Sequence, residues 1–184
     1  MMKNLNCNDY IIVVGVNSEN IYDENTHILK LNCNDFYEGL PEKVIKTYKF
    51  INDNNDQMFN NYTHVCKMDE DMNIRKLLST NILSDYCGLV NGSGAGNRKW
   101  HIGKCSKNSK FNITQYTGHF PFWCMGGFSY VLSKKVIHLI KDDETYLDEI
   151  YEDVYIGKLL EKNNIKPTNI RNLKQYIRSP DHTY

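Results

Sequence analysis

The sequence predicts an α/β fold in which a mostly parallel sheet is flanked by helices. Three observations carry this. Short apolar runs alternate with amphipathic stretches, as successive strand–helix units require. The run YIIVVGV (10–16) is apolar up to Gly15, as in a strand buried on both faces. KMDED (67–71) places acids directly after a strand-like stretch, and the carboxyl ends of strands are where such sheets bind ligands.

The elements follow in order. THILKLN (26–32) sets Ile28, Lys30 and Asn32 against His27, Leu29 and Leu31, a strand alternation. GLPEKVIKTYKFIND (39–53) brings Leu40, Val44, Tyr48 and Ile51 onto one helical face, with Pro41 in the first turn. THVCKM (63–68) reads as a strand, and MNIRKLLST (72–80) as the start of a helix capped by Asn73. YCGLVN (86–91) is a further strand. GSGAGNRK (92–99) is a loop by composition, without the ending of a phosphate-cradling loop. WHIG (100–103) suggests a short strand. YTGHFPFWCMGGFSYVLSKKVIHLI (116–140) holds a strand and then a helix capped by Ser133. The last helix begins near Glu152 and stops before IKPTN (165–169).

A chain of 184 residues suits one compact domain over 1–184, with 1–9 and 172–184 read as flexible ends. Hydrophobic residues at 41% and charged residues at 24% are those of a soluble globular protein. The 22 basic side chains are balanced by 22 acidic ones, which argues against nucleic acid as a partner. No apolar run approaches the roughly 20 residues of a membrane span. The expectation is a soluble, cytoplasmic chain without a membrane anchor, in a reducing compartment. The six cysteines are scattered without a CxxC pair and read as reduced thiols, Cys66 and Cys87 as small core residues. The N-x-S/T sequons at Asn61, Asn91 and Asn112 matter only in a secretory pathway.

Several groups of residues have a chemical and a plain reading side by side. Asp69 and Asp71, two apart, point the same way in an extended segment, and their oxygens suit Mg²⁺ or Mn²⁺. Equally, they are a solvated acidic stretch before a helix. The Gly126-Gly127 pair allows close backbone approach to a ligand, or simply a tight turn. The aromatics of HFPFW (119–123) form a sugar platform or part of the core. Glu152 and Asp153 are a helix-terminal cap or a proton acceptor. His182 gains a role only if the chain end folds back over a metal.

The order of these pieces resembles the inverting β-1,3-galactosyltransferase and Fringe-like glycosyltransferases. That family shows K-x-D-D-D after a buried strand, K-W before an apolar residue, P-Y-C-x-G-G-x-x-Y-V-L-S, and E-D-V-Y-x-G. The corresponding runs here are Lys67 to Asp71, Lys99-Trp100, Pro121 to Ser133 and Glu152 to Gly157. Residues 27–51 are similar to another stretch of the family, so the resemblance spans most of 11–167.

The resemblance implies a GT-A-type fold and a UDP-sugar donor with Mn²⁺ (or Mg²⁺) on its diphosphate. It implies a glycan or glycoprotein acceptor. Asp71 would then be the direct metal ligand, joined by Asp69 and by His182. Asp69, Glu70, Gly126 and Gly127 would border the nucleotide, and Trp123 and Glu152 the acceptor. Asp153 would be the base that deprotonates the acceptor hydroxyl. The reaction would be a single displacement with inversion, moving a hexose or N-acetylhexosamine to a sugar hydroxyl.

The sequence also departs from the pattern. Glu70 replaces a middle Asp, Phe122-Trp123 stands where Pro-Tyr is usual, and Phe128 and Ser129 replace small residues. Relatives carry a membrane anchor and stem that this sequence does not show, and it lacks their N-terminal segment before the first strand, so it is read as a minimal domain or a fragment. A binding domain that keeps the fold without catalysis is the alternative. A nucleotidyltransferase is a third reading, with no role for the EDVYIG helix.

Overall fold

The structure, a computed structural model, describes residues 10–54, 59, 61–74, 83–170 and 176–178. It is a mixed α/β arrangement with several small sheets. Strands β1 (Ile12–Val16), β2 (Ile21–Asp23) and β3 (Ile28–Asn32) form one sheet in the order β1-β3-β2. Helix α1 (Leu40–Asp53) follows, with Pro41, Val44, Ile45, Tyr48 and Ile51 turned inward. Pro41 in the first turn starts it at no cost, since its missing N–H has no intrahelical partner there. Strands β4 (His64–Lys67) and β5 (Asn73–Ile74) come next. Strands β6 (Tyr86–Gly88) and β7 (Val90–Asn91) follow, then β8 (Trp123–Cys124) and β9 (Tyr130–Ser133). Helices α2 (Lys134–Ile140) and α3 (Glu152–Lys162) precede the short strands β10 (Thr168–Asn169) and β11 (Ile177–Arg178).

The larger sheet has the order β10-β6-β9-β4. Strand β9 is its centre, and all four of its residues are buried. Its alternation feeds two cores. Tyr130 and Leu132 join Val44 and Tyr48 of α1, Val136, Ile137 and Ile140 of α2, and Ile156 and Leu160 of α3. Val131 faces the other way, onto Met72, Cys87, Ile170 and Ile177. Each such aliphatic side chain contributes about 1.5–3 kcal/mol when fully buried. Ser133 ends β9 and caps α2, its hydroxyl accepting the amide of Val136 at 3.3 Å.

Several expectations need correction. Among the described residues only β1–β3 and β6–β10 pair in parallel; the other five pairings are antiparallel. The cause is β9, which returns between β4 and β6 against both. Strand β1 is an edge strand with Ile12 exposed, not one buried on both faces. The alternation of β3 holds, with Leu29 and Leu31 buried and Lys30 exposed. WHIG forms turns rather than a strand, because the amides of Trp100, Ile102 and Lys104 each bond the carbonyl three residues back. Asn73 lies in β5, paired with β11, and does not start a helix; 75–80 lie outside the described residues. Of 172–184 only 176–178 are described, and Ile177 is buried against the second core; the rest of that stretch, and 1–9, lie outside the described residues. The five described cysteines are free thiols; Cys87 is buried as expected, whereas Cys66 is exposed on edge strand β4. Among the described residues no helix is long and apolar enough to cross a membrane.

Ser129 carries local strain. It has φ 70° and ψ 150°, a region essentially reserved for glycine, and its buried hydroxyl has no hydrogen-bond partner. It is one of the two positions where the sequence departs from small residues after the glycine pair. Ser129→Gly is expected to stabilise the fold by about 1 kcal/mol, since backbone strain of this kind costs about 1–3 kcal/mol. The urea midpoint is the measurement, and an unchanged or lower midpoint contradicts the assignment.

Candidate functional site

The site is assembled where the end of β4, the 126–128 turn and the start of α3 meet. Lys67, the last residue of β4, is mostly buried. Its ammonium lies 2.7 Å from Glu152 Oε1 and also pairs with Asp69. Glu152 is 6% exposed, and its other oxygen accepts the hydroxyl of Tyr130 at 2.8 Å. Tyr130 in turn accepts the hydroxyl of Tyr48 at 3.2 Å. A polar chain thus runs from α1 through the core to the acidic triplet. Burial acts to lower the pKa of Lys67, but Glu152 and Asp69 outweigh it and hold the ammonium above its ordinary range. Burial pushes Glu152 up, against the downward pull of Lys67.

Asp153 follows in the first turn of α3, where unpaired amides and the helix dipole favour a carboxylate. Its Oδ2 accepts the Gly126 amide at 2.8 Å, and its Oδ1 the Val154 amide at 2.8 Å. Burial nonetheless raises its pKa, offset in part by those amides, by Lys67 and by the Trp123 indole. Tyr37 lies on the same side; burial first, then the Asp153 charge, raises its phenol. A Cβ on Gly126 would stand 2.5 Å from Glu152 Oε1 and 3.2 Å from Asp153 Cβ, so only glycine permits this approach. A Cβ on Gly157 would meet Trp123 Cβ at 2.7 Å, so the glycine ending EDVYIG lets α3 pack closely on β8. The Cβ position of Gly127 faces open space.

The acidic triplet is not extended. The Met72 amide bonds the Asp69 carbonyl at 3.1 Å, which closes a turn over 69–72. Alternation therefore does not set where Asp69 and Asp71 point. Glu70 and Asp71 are exposed, and Asp69 is 42% exposed despite its pairing with Lys67. Trp123 is 4% exposed and stacks among Phe120, Tyr116 and Tyr151, so its ring offers no open face. The exposed aromatics of this region are Phe122 and Trp100. Glu152 has both oxygens engaged within the protein. His182 lies outside the described residues.

Sequence reasoning missed Lys67, Tyr130 and Tyr48. Lys67 was visible as the first letter of KMDED, but its partner lies 85 positions away at Glu152. Among the described residues, no group of three or more His, Cys, Asp and Glu is gathered tightly enough to hold a metal by itself. Mg²⁺-like ions keep several waters and commonly take one or two carboxylates plus substrate phosphates. The exposed acids of the turn fit that mode. A cavity of about 410 Å³ opens at the carboxyl ends of β1 and β3, lined by Gly15, Asn17, Asn34, Asp35, Phe36 and Lys46 among others. The acids at 69, 71 and 153 do not line it, but Tyr37, whose phenol the Asp153 charge helps to raise, follows directly on Phe36.

A family model described as Galactosyltransferase matches residues 11–171. No curated protein matches the chain.

Removing one partner of a buried ion pair leaves the other uncompensated, so Lys67→Met is expected to cost about 3–5 kcal/mol at neutral pH. The double variant with Glu152→Gln should recover part of that loss. The sign with pH follows from Glu152, whose proton the folded state holds more tightly than the unfolded one. In Lys67→Met, stability should be greatest at acid pH and fall as pH rises through that raised pKa. Urea titrations across pH check both points; a pH-independent loss contradicts them.

Proposed function

The chain belongs to the galactosyltransferase family, whose members are glycosyltransferases acting on a nucleotide-sugar donor and a glycan acceptor, and on that premise we propose a metal-dependent, inverting enzyme of GT-A type. It moves a hexose or N-acetylhexosamine from a UDP-sugar to a sugar hydroxyl. The observation that supports this best is the Lys67 bridge. It ties Asp69, in the acidic turn, to Glu152, and so sets that turn beside Asp153.

In this reading Asp153 is the general base. Its raised pKa makes it a stronger proton acceptor than an ordinary aspartate, and it is partly exposed. The Gly126 and Val154 amides fix its orientation. It takes the proton of the acceptor hydroxyl as that oxygen forms a bond to the anomeric carbon. The bond from that carbon to the diphosphate oxygen breaks on the opposite face, and UDP leaves with the electron pair. Asp71 and Asp69 would hold Mn²⁺ or Mg²⁺, which supplies positive charge against the leaving diphosphate. The cavity beyond β1 and β3 is a place for the nucleoside, as expected at strand carboxyl ends. Gly127, open in front, leaves room for the donor. Glu152 is reassigned from acceptor contact to holding Lys67, and Trp123 from acceptor platform to support of Asp153.

A second reading, binding of a nucleotide sugar without transfer, is favoured by one observation: Asp69 is engaged by Lys67 and less free for a metal.

The test is Mn²⁺-dependent release of UDP from a panel of UDP-sugars, with UDP binding measured by calorimetry. Asp71→Ala should weaken UDP binding in the presence of Mn²⁺. Asp153→Asn should leave UDP binding intact and slow transfer by about 10²–10⁴-fold. UDP binding with no turnover supports the second reading, and variants indistinguishable from wild type contradict both assignments. The acid limb of the pH–rate profile should lie above that of an ordinary aspartate, since transfer is lost as Asp153 takes up its proton. Trp123→Phe, which removes a downward pull, should move that limb higher still.

A further inference from the structure

The turns over 98–104 and the residues after them are pinned at two places around Asp153. At one side Ser106 donates its amide to Glu38 Oε2 at 3.1 Å, next to Tyr37. At the other, His101 Nδ1 lies 2.7 Å from the hydroxyl of Tyr151, which also bonds the Asn97 carbonyl at 2.8 Å. Tyr151 is the residue that caps α3 ahead of Glu152 and Asp153. The loop therefore borders the site in a fixed position, where the composition of 92–99 suggests a loop and WHIG a short strand.

On this loop Lys104 stands out. Its ammonium sits 3.4 Å above the ring of Trp100 and 5.6 Å from the ring of Tyr37. Among the described residues it has no carboxylate partner within ion-pair distance. Two other lysines of this region are neutralised, Lys67 by Asp69 and Glu152 and Lys158 by Glu149 at 2.6 Å, whereas Lys110 rests over the Phe111 ring at 5.2 Å. Partial burial lowers the pKa of Lys104, with no acid to offset it. Trp100 beneath it is 58% exposed. A cation resting on the exposed ring of Trp100 is held only loosely, and an oxyanion of substrate can draw it off.

We propose that Lys104, carried on Trp100 beside Tyr37, binds an oxyanion of the substrate at the edge of the Asp153 site. The shared chemistry is a phosphate or carboxylate borne by a sugar substrate. Its two sources are the donor diphosphate and an acidic acceptor sugar. The inference rests on the glycosyltransferase reading for the identity of that substrate, but not for the anion site itself.

Trp100 reports on the site directly, because the second tryptophan, Trp123, is buried. Wild type, Lys104→Gln, Lys104→Arg and Trp100→Phe are titrated with pyrophosphate, UDP, glucuronate and glucose while iodide-quenchable tryptophan emission is followed. Wild type should show a saturable change with at least one anion and none with glucose, and Trp100→Phe should lose the signal. Lys104→Gln should bind that anion about tenfold more weakly, the usual scale for one charge-assisted hydrogen bond, and Lys104→Arg should retain it. Loss confined to pyrophosphate and UDP assigns the donor, and loss confined to glucuronate assigns an acidic acceptor. Equal affinities in wild type and Lys104→Gln, or no anion response in wild type, overturn the proposal. If anion binding depends on Lys104 but wild type releases no UDP from any UDP-sugar, the site stands and the transferase reading fails.

Discussion

One buried ammonium holds the site together. Taking a lysine out of water is tolerated only with opposite charge and hydrogen bonds around it, and Lys67 has Glu152 and Asp69. The fold supplies these from three directions. Strand β4 delivers Lys67, the following turn delivers Asp69, and the first turn of α3 delivers Glu152. Tyr130, on the central strand, takes the remaining oxygen of Glu152. Such a pair contributes little net stability compared with an apolar cluster, yet breaking it is costly. Its main effect is positional, because it fixes where a helix terminus stands relative to a strand end.

The positions of Asp153 and Gly126 follow from that anchor. Asp153 is next to Glu152, so its place is set once Glu152 is held. The carboxylates of α3 press against the backbone at Gly126, which donates its amide to Asp153. Gly157, one and a half turns along, lets the same helix close on Trp123. Two glycines thus govern one helix from two sides, one by its amide and both by the absence of a side chain. The strained Ser129 directly after the 126–128 turn is a sign that the backbone there is shaped by its surroundings rather than by local preference.

Much of this was legible in the sequence. The alternation of Leu29 and Leu31, the face of α1, the Ser133 cap and the start of α3 at Glu152 all depend on short-range periodicity and local hydrogen bonds, which sequence records. The acids after β4 were legible for the same reason. What was not legible depends on partners far along the chain. The return of β9 between β4 and β6 made the sheet mixed. Glutamate is almost never fully buried unless paired, and the Trp123 aromatic has a core and a surface reading side by side; the packing of α3 against β8 and the bonds of Lys67 and Tyr130 to Glu152 decide both. The two-residue spacing of Asp69 and Asp71 puts them on one side only if the segment is extended, and one local backbone hydrogen bond turns it instead.

The central claim is that the turn at 69–72 and the carboxylate of Asp153 serve one donor from two sides. A crystal structure with UDP and Mn²⁺ tests this most directly. The account predicts the diphosphate against Asp71, with Asp153 facing across the space left for a sugar and the uridine in the cavity beyond β1 and β3. Nucleotide bound elsewhere, or bound at the acidic turn with Asp153 turned away from it behind intact packing, would contradict it.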